Sequence, residues 1–223
     1  MKVSNYRLGI ALPLVDDRVP TQFLDSWTLM EKPEYTYIRP DFPGYIAAVR
    51  NNLVEYAIQA GCSHLLMMDT DQIYPSDTIM KLIEHDLPIV GAKVHRRYPP
   101  FDPIMYKWDR EIGRYFMLPE EIWKNESLPE VDVVGTGCIL VDIKVFMDLE
   151  YPWFKHESVS LKSGQKAVGE DVYFCRKAKE AGYQIFADTT IKIDHLGLLS
   201  INEETYEVYK MLTLIGGKKD GGN

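Results

Sequence analysis

Between residues 6 and 94 short apolar runs alternate with amphipathic segments, and this alternation restricts the possible folds more than any other feature of the chain. "YRLGIALPLV" (6–15) reads as a buried strand ending near Pro13, and "TQFLDSWTLM" (21–30) as a short helix with Thr21 as its N-cap. "YTYIR" (35–39) is aromatic and β-branched, which favours a strand. Residues 44–60 place Ile46, Val49, Leu53, Tyr56 and Ala60 on one helical face, with Gly61 as the stop. "HLLMMD" (64–69) is the next strand, Ser76 is placed to cap a helix over "DTIMKLIEHD" (77–86), and "LPIVGAKV" (87–94) is another strand. Strands alternating with helices predict an α/β architecture, with a mixed, mostly parallel central sheet flanked by helices. Ligands of such sheets bind beyond the carboxyl ends of the strands.

The second half is less regular. Residues 95–123 are rich in Pro, aromatics and arginine, and suggest short strands or loops laid over the site. "VDVVGTGCILVDIKVF" (131–146) is strand-like with a break at Gly135-Thr136-Gly137, where a glycine can mark a bulge or a close approach of ligand to backbone. Residues 152–168 read as a loop. "GEDVYFCRKAKEAG" (169–182) reads as a helix with Val172, Cys175 and Ala178 inward and Gly182 as its stop. "YQIFADTTIKIDHLG" follows as strand and turn, and "NEETYEVYKMLTL" as helix. The pattern gives one domain over 1–215 and a flexible tail over 216–223, with no internal repeat.

Bulk properties narrow the function. A net charge of −8 over 223 residues argues against a surface built to contact nucleic-acid phosphates and against a polybasic membrane anchor. No apolar run approaches the roughly 20 residues of a membrane-spanning helix. Asp16 and Asp17 stand where a signal peptide would carry small residues, so the N-terminal stretch reads as a strand. Cys62, Cys138 and Cys175 are far apart, which excludes a structural zinc site or a disulfide framework and fits a reducing, cytoplasmic setting.

Four groups of residues carry chemistry. Asp69 and Asp71 close the apolar run of "HLLMMDTDQIYP". On an extended segment, side chains two apart face the same way, so both carboxylates can converge on one point. Two hard oxygen donors suit Mg²⁺ or Mn²⁺. The plainer alternative is that Asp71 starts a turn while Asp69 makes a local salt bridge. Glu170 and Asp171 begin a helix, where acids complement the helix dipole; a helix N-terminus is also a rigid mount for a general base. His195 ends the last strand and is either structural or a further ligand for a cation held by carboxylates. His64, His85, His95 and His156 read as structural or surface residues. Arg50, Arg96 and Arg97 are candidate phosphate partners, or else surface and ion-pair residues.

Taken in this order, "IALPLV", "RNNLVEYAIQAG", "HLLMMDTDQIYP", "LPIVGAKVHRR", "VVGTGCILV" and "GEDVYFCRKAKEAGYQIFADTTIKIDHLG" resemble a GT-A fold glycosyltransferase, close to the family 2-like enzymes, over residues 6–197. The resemblance implies a DxD segment in which Asp71 is the principal ligand of Mn²⁺ or Mg²⁺, with His195 a further ligand and Asp69 on the metal or the ribose. It implies that Leu12 and Pro13 border the nucleotide base, that Thr70 lies in the donor site, and that Arg50 sits near the nucleotide or diphosphate. Gly135, Thr136 and Gly137 would lie under the donor sugar or acceptor. Asp171 would be the base that deprotonates the acceptor hydroxyl in an inverting transfer, with Glu170 its substitute. The implied donor is a UDP- or GDP-sugar. The acceptor is a hydroxyl on a carbohydrate, a lipid-linked compound or another molecule. Two other readings stand beside this one: a haloacid-dehalogenase-like phosphohydrolase, in which the first aspartate is the nucleophile, and a non-catalytic nucleotide-sugar or carbohydrate-binding module.

Overall fold

The structure, a computed structural model, describes residues 6–14, 18–41, 44–161, 164–198 and 202–216. Strand β1 (Leu8–Ala11) leads through helix α1 (Thr21–Leu29) to β2 (Tyr35–Ile38), then through α2 (Ile46–Gln59) to β3 (His64–Met68). A two-residue strand β4 (Gln72–Ile73) precedes α3 (Thr78–Glu84) and β5 (Ile89–Ala92). A hairpin of β6 (Met105–Asp109) and β7 (Arg114–Met117) is followed by α4 (Glu120–Asn125), β8 (Glu130–Val131) and β9 (Val133–Val134). Next come β10 (Cys138–Asp142), α5 (Ile143–Asp148), and the hairpin β11 (Glu157–Leu161) with β12 (Gly164–Val168). Helix α6 (Glu170–Glu180), β13 (Ile185–Asp188), β14 (Asp194–His195) and α7 (Glu203–Gly216) complete the described chain.

The main sheet has seven strands in the order β2-β1-β3-β10-β5-β13-β8. Five strands point one way; β10 runs antiparallel to β3 and β5, and β8 runs antiparallel to β13. The expected mixed, mostly parallel sheet is therefore present. From β1 the chain moves outward to β2 and then returns to the other side of β1 as β3. That reversal creates a crevice at the carboxyl ends of β1 and β3, the place where open α/β sheets bind ligands.

Alternation along β3 shows why the strand is apolar throughout. Leu65 and Met67 enter one core with Val49, Leu53 and Ala57 of α2, while Leu66 and Met68 enter the other with Ile79 and Leu82 of α3. Asp69 is the next residue on the α2 side, at the point where the core ends.

Several local expectations need correction. Pro20, not Thr21, is the N-cap of α1, and the Thr21 hydroxyl lies on Gln22. Asp77, not Ser76, occupies the N-cap position of α3, with no side-chain capping bond; the Thr78 hydroxyl donates to the Pro75 carbonyl instead. The inner face of α2 is Ala47, Val49, Arg50, Asn51, Leu53, Val54 and Ala57, so Ala60 is exposed and Ile46 and Tyr56 only half-buried. The strand pattern expected through 146 stops at Asp142, whose carboxylate accepts the Lys144 N–H and caps α5. Within the expected loop, Glu157–Leu161 and Gly164–Val168 pair as antiparallel strands. Gly61 and Gly182 do end their helices, with φ of 69° and 90°. The tail expected over 216–223 lies outside the described residues, apart from Gly216 at the end of α7.

Candidate active site

The two aspartates diverge. Asp69-Thr70-Asp71 is a turn and not an extended segment, so the expectation of co-facing carboxylates does not hold. Asp69 accepts from Arg50 Nη2 through both oxygens, at 2.9 and 3.2 Å. Its N–H donates to the Gly137 carbonyl at 2.8 Å, and its own carbonyl lies 2.7 Å from the Tyr74 hydroxyl. That hydroxyl is also 3.0 Å from the Gly137 carbonyl, and burial pushes its pKa up, so it stays a donor. A Cβ on Gly137 would stand 2.2 Å from Gln72 Nε2 and 2.9 Å from Asp69 Oδ2, so a side chain here would have to displace both. Thr136 is buried, and its carbonyl accepts from Arg50 Nη1 at 3.2 Å.

Arg50 is therefore a buried hub under the site. Besides Asp69 and Thr136, its Nε lies 3.5 Å from Glu170 Oε1 as an ion pair without hydrogen-bond geometry. Burial opposes the guanidinium charge, but Asp69, Glu170 and Asp171 outweigh it and raise the pKa. At 3% side-chain exposure Arg50 fits the ion-pair alternative read from the sequence, paired with Asp69 and Glu170.

Asp71 faces the other way. Its Oδ2 accepts from Arg97 Nη1 at 2.8 Å and lies 3.3 Å from His195 Nε2. His195 Nδ1 donates to the His95 carbonyl at 2.6 Å, which orients the ring and turns Nε2 toward Asp71; with both nitrogens donating the ring is the imidazolium, and a bound cation would take the place of the Nε2 proton. The pairing of β4 with β14 holds the two residues together, and the Asp71 carbonyl accepts the Leu196 N–H at 2.8 Å. Burial works against the Asp71 charge, yet the hydrogen bond and charge of His195 and the charge of Arg97 hold its carboxyl below the usual range. The hydrogen bond to Asp71 raises the pKa of His195 in turn.

Glu170 and Asp171 open α6, with Gly169 at the N-cap. Asp171 Oδ1 accepts the Val172 N–H at 2.7 Å. Burial, then the neighbouring charge of Glu170, pushes the Asp171 carboxyl above the ordinary carboxylate range. Glu170 also lies 3.6 Å from His156 Nε2, a residue the sequence reading left on the surface. Leu12 and Pro13 are buried at the end of β1, beside the end of β3, and Thr70 is half-buried in the turn.

The structure thus groups Asp69, Arg50, Thr136, Gly137 and Glu170 in one network, and Asp71, His195 and Arg97 in another. Among the described residues no three His, Cys, Asp or Glu side chains form a metal-holding set. Asp71 and His195 do offer one carboxylate oxygen and one oriented imidazole nitrogen, a donor pair that fits Mn²⁺ or Mg²⁺ when phosphate and water oxygens fill the other positions. Tyr74, Gln72 and the His95 carbonyl were missed at the sequence level. Tyr74, five residues beyond Asp69, carried the only available signal, as a polar aromatic in an apolar turn. The three cysteines are free and buried, and no described helix is long and apolar enough to cross a membrane.

No protein-family model and no curated protein sequence matches the chain. Solved structures do. A197 from STIV superposes with a TM-score of 0.56 at 16% identity, over 87% of this chain and 86% of that one. GalNAc-T7, solved with UDP, GalNAc and Mn²⁺, gives 0.53 at 11% identity over 86% of this chain and 44% of its own. Residues 1–349 of S. aureus TarS, solved with UDP-GlcNAc, give 0.51 at 15% identity over 93% of this chain and 66% of its own. The chain thus spans less than two thirds of either of the last two. At these identities the likeness concerns architecture: the chain has the GT-A glycosyltransferase fold.

Proposed function

We propose that the protein is a metal-dependent glycosyltransferase that moves a sugar from a nucleoside-diphosphate sugar to an acceptor hydroxyl. The observation that carries this reading is the Asp71–His195 pair, seated at the carboxyl edge of a GT-A sheet beside the β1/β3 crevice. In this reading the nucleotide lies against Leu12 and Pro13, and Asp71 and His195 hold the cation. A bound Mn²⁺ or Mg²⁺ would neutralise charge gathering on the departing diphosphate. Arg97, half exposed and already on Asp71, turns to the same phosphates. Asp69 and Arg50 set the turn that carries Asp71, and Gly137 lets the backbone come close to it.

Asp171 is the base. It takes the proton of the acceptor hydroxyl as that oxygen bonds to the anomeric carbon and the bond from that carbon to the diphosphate oxygen breaks. A carboxyl raised toward neutrality is better matched to this task than an ordinary one. The phosphohydrolase reading requires Asp69 as a free nucleophile, and both its oxygens are engaged by Arg50. The test is incubation of the protein with a panel of UDP- and GDP-sugars, with and without Mn²⁺. Metal-dependent release of nucleoside diphosphate is expected. Release of inorganic phosphate from simple phosphoesters, or metal-dependent binding with no turnover even when acceptors are present, would contradict the reading.

A further inference from the structure

A second cluster of charge lies on the same edge of the sheet. Lys93 follows β5, Lys192 follows β13, and with Trp123 of α4, Ser127 and Thr190 they line a cleft of about 490 Å³. Lys93 is only 7% exposed, yet no carboxylate lies within ion-pair distance of it among the described residues. Its ammonium stands 4.5 Å from the Trp123 ring centroid, and the Trp123 N–H is buried without a hydrogen-bond partner. Lys192 donates to the Thr189 carbonyl at 3.1 Å, and Lys124 is paired with Glu120. Burial, then the charge and side-chain hydrogen bond of Lys192 and the charge of Lys124, push the pKa of Lys93 down. The acids around the cleft do not pair with it: Glu126 lies on its exposed rim, and Asp188 is held by His85 at 2.8 Å and by Thr190. A buried ammonium without a counter-charge is costly, and in a chain of net charge −8 it is unexpected.

The cleft adjoins the Asp71–His195 pair through one residue. The His95 carbonyl holds the His195 ring, and the His95 ring lies edge-on to Trp123 with centroids 6.3 Å apart. It is not at the nucleotide crevice, however. That crevice lies between β1 and β3, whereas Lys93 follows β5, a strand two spacings or roughly 10 Å beyond β3 across the sheet. A phosphate bound here would lie apart from the nucleotide crevice yet one residue from the Asp71–His195 pair, a placement that suits a phosphate of the acceptor better than the donor diphosphate. Flexible ammonium groups, without an arginine fork, suit the oxygens of a phosphate.

Given the transferase reading above, on which this rests, we propose that Lys93 and Lys192 bind a phosphate group carried by the acceptor, so that the preferred acceptors are phosphorylated hydroxyl compounds. Inorganic phosphate titrated into the full chain by calorimetry tests the site without requiring turnover. Saturable binding is expected, weakened about tenfold or more in Lys93→Gln and in the exposed-site variant Lys192→Gln, and unchanged in Asp71→Ala. Absence of saturable binding, or binding equal to wild type in both lysine variants, would overturn the proposal. UDP with Mn²⁺ separates the two sources of phosphate: equal UDP affinity in wild type and lysine variants supports the acceptor assignment, and a parallel loss gives the site to the donor and overturns it. A protein that binds phosphate through these lysines but never binds a nucleoside diphosphate keeps the anion site and overturns the transferase reading.

Discussion

Asp69 and Asp71 are separated by one residue, yet they belong to regions of different character. Asp69 faces inward, with both oxygens on a buried guanidinium and its backbone tied to Gly137 and Tyr74. Asp71 faces outward, about a third exposed, between a half-exposed arginine and a histidine whose ring is oriented from behind. The inner region is tied to protein groups, whereas the outer one keeps its polar groups within reach of a ligand. In the proposed function the contrast divides the motif into a scaffold residue and a ligand residue, and substitutions should affect the two regions differently.

The largest effect is expected at Arg50. Arg50→Ala leaves the partly buried Asp69 and Glu170 without their cation and empties a buried position, at a cost of about 3 kcal/mol, read as a fall in thermal midpoint of order 10 °C. A midpoint within a degree or two of wild type would show that the hub is not structural. Gly137→Ala comes next: the added methyl meets Gln72 and Asp69, and about 1–3 kcal/mol of overpacking is expected in chemical denaturation. Asp71→Ala should change stability by less than about 1 kcal/mol, since its ion pair is largely solvated, while removing metal-dependent nucleotide binding. Equal stability losses in Asp71→Ala and Arg50→Ala would erase the distinction between the two regions.

The smallest effect concerns pH. Burial and the charge of Glu170 hold the Asp171 carboxyl above its ordinary range. A base must be deprotonated, so kcat/KM should fall as pH drops through that raised value. Glu170→Gln removes the like charge, lowers the Asp171 pKa, and should move this acidic limb to lower pH. A limb that stays in place or moves upward would argue against Asp171 as the base.

The sequence revealed the layers of the fold more clearly than the arrangement of the site. Runs such as "HLLMM" and the face built on Val49 and Leu53 have the periods of strand and helix, and burial enforces those periods. Caps and short hairpins were less legible: Pro20 and Asp77 hold N-cap positions without side-chain bonds, and β11 and β12 are strands with few apolar residues. At the site, the residue types at 69, 71, 170, 171 and 195 were recognisable, but their partners were not. The turn at Thr70 sends the aspartates apart, and the partners Arg50, Gly137 and His195 come from distant elements that only the assembled sheet brings together. The inward direction of Arg50 follows from its place beside Val49 on the buried face of α2, a tertiary fact that the position of charge along the chain does not reveal.

The central claim is that Asp71, together with His195, holds a divalent cation for a diphosphate. Electron paramagnetic resonance of Mn²⁺ in the presence of UDP tests it most directly, because the signal of the free ion falls when the ion is bound. That signal should fall with wild-type protein and persist with Asp71→Ala and with His195→Ala, each still folded by circular dichroism. Folded Asp71→Ala protein that depletes free Mn²⁺ as fully as wild type would contradict it.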